Sequence, residues 1–74
     1  MLVQQQIPKF PKFMGHLESR GLNMKLFAEV LKNKGYDYRY QTVRRKLVGE
    51  SPLYFDDIIV FSEVLGVEES IFFD

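Results

Sequence analysis

Cysteine is absent from this chain of 74 residues, and His16 is its only histidine. Without cysteine the chain can form neither a disulfide framework nor a thiolate metal site. One histidine leaves almost nothing from which to build a transition-metal site or a nucleophile–histidine pair, so we interpret His16 as a partly exposed helix residue. A glycine-rich phosphate loop is also missing. We therefore expect no enzymatic activity, no cofactor and no metal.

Long apolar runs are missing as well, and none approaches the roughly 20 residues of a membrane-spanning helix. The first thirteen residues, MLVQQQIPKFPKF, lack the basic start and the continuous apolar stretch of a signal peptide. We expect a cytoplasmic protein that does not contact membranes. What the chain does have is 46% hydrophobic residues, with seven Phe and four Tyr. That is enough for one compact core in a single small domain.

Strict alternation of apolar and polar residues is not sustained anywhere, so strands are not expected. Glycines, prolines and capping residues instead divide the chain into short helices. Pro11 can open the first helix, Asn23 can cap the second, and Asp37 can cap the third. The predicted bounds are a first helix from Pro11 to before Gly21, a second over about 24–33 stopped by Gly35, a third over about 38–48 ended by Gly49, a fourth over about 55–65 followed by Gly66, and a last short turn in VEESIFF.

The net charge of zero hides an uneven distribution. All ten Lys and Arg lie in residues 1–50 against four acids, giving +6, whereas residues 51–74 hold six acids and no cation, giving −6. A molecule with one basic and one acidic pole can turn the basic pole toward phosphates. Two acidic pairs, Asp56–Asp57 and Glu68–Glu69, are adjacent in sequence and so diverge on a helix; we interpret them as solvated residues that interact with helix dipoles, not as catalytic pairs.

The most basic segment is QTVRRKLVGESP, residues 41–52. On a helix, Val43 and Leu47 fall on the buried side. A run of charge is most often an ordinary solvated helix face. Here, however, the exposed side offers cations and Gln without an acid for i,i+4 pairing, and these residue types contact bases and phosphates in DNA. The residues on this side and its flanks are Arg39, Tyr40, Gln41, Arg44, Arg45 and Lys46.

From Leu22 to Phe73, about two-thirds of the chain, the sequence resembles the Cro-repressor-type (Xre-like) helix-turn-helix family of small phage and plasmid repressors. LNMK (22–25) and FAEVL (27–31) are similar to the first helix of the motif. TVRRKLVGESP (42–52) is similar to the recognition helix and the turn after it. FDDI (55–58) and VLGV (64–67) are similar to the next helix and its ending.

The resemblance implies an all-α, compact four- to five-helix bundle of lambda-repressor-like type, with residues 10–74 as the helix-turn-helix domain. Residues 1–9 are expected to form a flexible amino-terminal arm, because the chain there lacks periodicity and carries three consecutive Gln. Three features depart from the family. About five extra residues, KNKGY, lengthen the turn between Leu31 and Asp37. Met24 stands where the family usually has Gln, and Tyr54 stands where a Thr would cap the fourth helix.

The function that the resemblance implies is sequence-specific binding of double-stranded DNA by a small transcriptional regulator, with residues 38–48 in the major groove. An alternative is a protein-interaction module on the same fold, such as an antirepressor or inhibitor that does not read DNA and whose partner is another regulatory protein. The expected DNA contacts, with Arg44 and Arg45 central, are Asn23, Lys25, Arg39, Tyr40, Gln41, Thr42, Arg44, Arg45 and Lys46.

The fourth helix is apolar nearly all round, and Ile71-Phe72-Phe73 follows it near the acidic end. Two interpretations remain open. The carboxy-terminal turn can fold back and cover this apolar surface, or the surface can form the twofold interface of a homodimer that reads two half-sites. The residues of the candidate interface are Val60, Val64, Ile71, Phe72 and Phe73.

Overall fold

The computed structural model describes residues 9–73, and helices are the only regular secondary structure in this part of the chain, which confirms the all-α prediction. Residues 1–8, most of the predicted arm, lie outside the described residues, as does Asp74. None of the helices between residues 9 and 73 is long and apolar enough to cross a bilayer. The elements are α1 (Pro11–Ser19), α2 (Met24–Asn33), α3 (Tyr40–Val48), α4 (Phe55–Leu65) and a short 3₁₀ helix (Glu69–Phe72).

Most predicted helix ends are confirmed, because they depend on local capping chemistry. Asn23 Oδ1 accepts a hydrogen bond from the backbone N–H of Leu26 at 2.8 Å and so caps α2. Gly49 and Gly66 follow α3 and α4 in the left-handed conformation, with φ of 88° and 76°. Glycine is the residue that adopts this conformation most easily.

The start of α3 was predicted incorrectly. The helix begins at Tyr40 with Arg39 as its N-cap, and Asp37 does not cap it. The reason is a tertiary contact: the ring of Tyr38 lies 5.1 Å from that of Phe61, and its hydroxyl group donates a hydrogen bond to Asp57. These contacts with α4 hold the chain before Tyr40 outside the helix and override the local capping signal of Asp37.

The core is built around four buried phenylalanine rings. The Phe13 ring centroid lies 5.4 Å from that of Phe27 and 4.7 Å from that of Phe72, and Phe27 lies 5.3 Å from Phe61. Large aromatic side chains bury more apolar area than aliphatic ones, which suits a domain this small. The aliphatic residues buried around them are Leu17, Ala28, Leu31, Val43, Leu47, Ile58 and Leu65.

The carboxy-terminal segment folds back onto the bundle. Phe72 is buried, and its ring centroid also lies 5.3 Å from that of Phe10. This confirms the covering interpretation for Phe72 and removes Phe72 from the candidate dimer interface. Val60, Val64 and Ile71 are partly buried against the core, whereas Phe73 is 69% exposed.

Candidate nucleic-acid interface

Helix α3 presents a polar face to solvent. Its apolar side chains, Val43 and Leu47, are completely buried, which fixes the opposite side outward. The predicted contact residues that this orientation leaves exposed are Arg39, Tyr40, Gln41, Thr42 and Arg45.

A groove of about 730 Å³ separates α2 from the beginning of α3. Lys25, in the first turn of α2, and Arg39 both line it, so the structure brings together predicted contact residues from two helices. Lys32 adds a third cation, but Glu29 and Asp37 also line the groove. The groove is therefore only slightly basic, and the exposed side of α3 beyond it carries Arg45.

Asn23 has a structural task at this end of α2. Its side-chain oxygen is bonded to the Leu26 N–H as the helix cap. Only its amide N–H₂ group remains available to donate to a ligand. Asn23 therefore holds the amino end of α2 in place next to Lys25.

Arg44 and Arg45 lie in different environments. Arg45 is exposed, whereas the Arg44 side chain is 34% exposed and forms an ion pair with Glu50 at 3.4 Å. The helix itself carries no acid for i,i+4 pairing, as expected, but an acid from the turn after it does reach Arg44. The left-handed Gly49 turns the chain after α3, so that Glu50 can reach back to Arg44.

Lys46 does not lie with the other predicted contacts. Its Nζ donates hydrogen bonds to Asp57 Oδ2 at 2.8 Å and to the carbonyl oxygen of Pro52 at 3.0 Å. It also lies 4.9 Å from the centroid of the Tyr54 ring. The side chains of Lys46 and Asp57 are only 12% and 10% exposed. Lys46 is thus directed onto α4, and the prediction that Asp57 is solvated is wrong.

Asp57 is the centre of a polar cluster that consists of Tyr38, Lys46, Asp57 and the backbone of Pro52 and Tyr54. Besides Lys46, its carboxylate accepts hydrogen bonds from the Tyr38 hydroxyl at 2.5 Å and from the Tyr54 N–H at 2.9 Å. Burial by itself would raise the pKa of Asp57, but the bonds from Lys46, Tyr38 and Tyr54 outweigh it and hold the pKa below its ordinary value. Burial, and then the bond to Asp57, raise the pKa of Tyr38.

Sequence reasoning missed this cluster, although one signal was present. Asp57 is the third residue of α4, the position from which an acidic side chain reaches back to the N-cap amide in a capping box. The usual partner at the N-cap is Ser or Thr, and Tyr54 stands there instead. The contributions of Tyr38 and Lys46 have no local signature.

Other chemistry is not concentrated in the described residues. Between Lys9 and Phe73, no group of three or more metal-ligating side chains is close enough to hold a metal ion. His16 is partly buried in α1, with its Nδ1 3.4 Å from Nη1 of Arg20. It does not belong to the basic surface of α3.

Comparison with protein-family models, with curated proteins and with solved structures finds no match for this chain. The site is therefore interpreted from its own residues and geometry.

Proposed function

We propose that the chain binds double-stranded DNA as a small transcriptional regulator of lambda-repressor-like type, with α3 in the major groove. The observation that carries the proposal is the outward face of α3, where Gln41, Thr42 and Arg45 stand opposite two completely buried aliphatic residues. Arg pairs with guanine edges, Gln with adenine, and the Thr methyl group contacts the thymine methyl. A helix of this kind fits the B-DNA major groove, which is about 12 Å wide.

The amino end of α2 supports the same orientation. In helix-turn-helix proteins the first helix crosses the phosphate backbone while the second enters the groove. Lys25 begins α2 and shares a groove with Arg39 and Tyr40 at the start of α3. Two cations and a phenol hydroxyl can therefore contact phosphates on the strand next to the bases that α3 reads.

We further propose a homodimer, because two half-sites require two recognition helices. The residues that support it are Val60, Val64, Ile71 and Phe73, which keep apolar surface exposed on α4 and the carboxy-terminal segment. Phe72 is left out because it is buried within one chain. A protein acting on DNA in this way is expected in the cytoplasm, without a cofactor.

The test is binding to a short random-sequence duplex at low salt, followed by fluorescence anisotropy. We expect the wild type to bind. We expect Arg39→Gln to weaken binding and to reduce the slope of the logarithm of the association constant against the logarithm of the salt concentration by about 0.9, which is the loss of one phosphate contact. Failure of the wild type to bind would remove the proposal.

Lys34→Gln is the matched control. Lys34 follows α2 at the end away from Lys25, roughly 15 Å along the helix axis, and lines a separate groove with Tyr36, Glu63 and Val64. The Lys34→Gln substitution also removes one positive charge, and from the same half of the sequence. We expect it to change neither the affinity nor the salt slope by more than a minor amount.

A second candidate is a protein-interaction module that does not read DNA. Tyr54 and Phe55 favour it, since these adjacent aromatic residues at the start of α4 are 64% and 63% exposed. Exposed aromatic side chains are enriched at protein interfaces. The salt dependence separates the two candidates, because an apolar protein interface responds little to salt whereas DNA binding weakens steeply.

A further inference from the structure

We propose that Lys46 is a positioning residue: by its bond to Asp57 it fixes the orientation of α3 relative to α4, and it does not itself contact DNA. Burial of Val43 and Leu47 turns the opposite face of α3 outward, and Lys46 sets the angle to α4 at which that face is presented. The part of the inference that concerns DNA rests on the proposed function, whereas the part that concerns helix orientation does not.

The carboxylate of Asp57 accepts hydrogen bonds from three side-chain or backbone donors. Its Oδ2 accepts from Lys46 at 2.8 Å and from the Tyr54 N–H at 2.9 Å, while Oδ1 accepts from Tyr38. The three donors come from α3, from the beginning of α4 and from the connection between α2 and α3. One carboxylate therefore joins three segments of the chain, including the connection between α2 and α3.

Most of the hydrogen-bonding capacity of the Lys46 ammonium group is already used within the protein. An ammonium group has three N–H donors, and two acceptors, Asp57 Oδ2 and the Pro52 carbonyl, already lie within 3.0 Å. Because the side chain is 12% exposed, a phosphate could reach it only if Lys46 left Asp57. That exchange would leave a buried carboxylate without its cation, which is strongly unfavourable.

The other contacts of α3 do not fix its angle to α4. Its buried side chains are Val43 and Leu47, it packs mainly against α2, and its bond with the Lys9 N–H does not involve α4. Apolar packing is also not directional. The bonds from Lys46 to Asp57 and to the Pro52 carbonyl are directional, and they join α3 to fixed points on and just before α4. Buried ionic groups are best known for fixing one arrangement among several of similar energy.

The first test uses a duplex that the wild type enriches from a randomised pool, and it compares Lys46→Met with Arg45→Met and Lys25→Met. We expect Lys46→Met to lower the affinity at least about tenfold with an unchanged salt slope. We expect Arg45→Met to lower the affinity through a lost base contact, and Lys25→Met to reduce the slope by about 0.9 through a lost phosphate contact. A comparable loss of slope in Lys46→Met would show that Lys46 contacts phosphate. An unchanged affinity in the folded variant would show a purely structural role. Either result overturns the inference.

A double-variant cycle locates the effect in the bond to Asp57. We expect Lys46→Met/Asp57→Asn to lose no more affinity than Lys46→Met alone, because both changes break the same link. If the fold-loss of affinity in the double variant equals the product of the losses in the two single variants, the two residues do not act through one shared bond. Lys46→Arg keeps the charge and is expected to recover part of the affinity.

The second test needs no DNA. Amide residual dipolar couplings report the angle between α3 and α4 in the folded wild type and in Lys46→Met, with far-UV circular dichroism confirming the folded state. We expect the α3 couplings to change as a set while those within α4 do not. Unchanged couplings would refute the inference even if the protein binds DNA, and failure of all duplexes to bind would refute only the proposed function.

If Lys46→Met does not fold, the same measurements can be made on Tyr38→Phe. It removes one bond to the same carboxylate and retains the ring that packs against Phe61. We expect a smaller change of the couplings in the same direction, with the salt slope unchanged. Wild-type couplings in this variant would count against the role of the cluster.

Discussion

Asp57 and Ser62 are the two polar residues that are buried between Lys9 and Phe73, and their surroundings differ. Asp57 is bonded to three donors, as described above. Ser62 Oγ, in contrast, has no hydrogen-bond partner within the described part of the chain. A buried hydroxyl group without a partner costs about 1–3 kcal/mol, because it loses its bonds to water and gains none.

Replacing Ser62 with Ala should therefore raise the free energy of unfolding by about 1 kcal/mol. Urea unfolding of Ser62→Ala and wild type measures this difference. Ser70→Ala is the control, because Ser70 is exposed and should stay within about 0.5 kcal/mol of wild type. Destabilisation by Ser62→Ala would mean that the hydroxyl group has a partner or that its volume matters more than its polarity.

The carboxylate of Asp57 makes the free energy of unfolding depend on pH. Its folded pKa lies below its ordinary value of 3.8, so the unfolded state binds more protons between the two values. The stabilisation is complete above the ordinary pKa and is lost as the pH falls through the folded one. We expect the difference in stability between wild type and Asp57→Asn to be smaller at about pH 3 than at about pH 6. Urea titrations at both pH values test this, and a constant difference would contradict it.

At the scale of the elements, prediction from sequence succeeded where the signal is local. Asn23, Gly49 and Gly66 cap or end helices through their own chemistry, and α4 covers residues 55–65 as predicted. The start of α3 was missed because Tyr38 contacts Asp57, nineteen residues along the chain.

In the candidate site, too, features with a local sequence signal were predicted and features set by helix packing were not. Periodicity was sufficient to turn Val43 and Leu47 inward and Arg45 outward. The position of Lys46 on the flank of α3 did not reveal its direction, because that depends on where α4 packs. The groove between α2 and α3 also requires the packing of two helices, which no single segment specifies.

The carboxy-terminal segment provides a prediction at this scale. Phe72→Ala should lower the free energy of unfolding by about 3–5 kcal/mol, because a buried aromatic side chain is removed from its contacts with Phe10 and Phe13. Phe73→Ala, one residue further and exposed, should change it by no more than about 0.5 kcal/mol at protein concentrations low enough for the chain to be monomeric. Thermal or urea unfolding measures both. Equal effects would show that the segment does not pack as described.

At the scale of the whole molecule, charge is balanced in total and divided between elements. The helices α2 and α3 carry half of the ten cations, whereas α4 and the carboxy-terminal segment carry only acids. The ion pair between Lys46 and Asp57 joins the two halves and withdraws one charge of each sign from the surface. With a net charge of zero, attraction to DNA depends on which face is presented and not on the total charge.

The central claim is that this face binds DNA, and the most direct measurement is the salt dependence of wild-type binding to duplex DNA. If Lys25 and Arg39 of each chain contact phosphates, the logarithm of the association constant should fall with the logarithm of the salt concentration with a slope of about −2 per bound chain between about 50 and 200 mM salt. Absence of binding at low salt, or a slope near zero, would contradict the account.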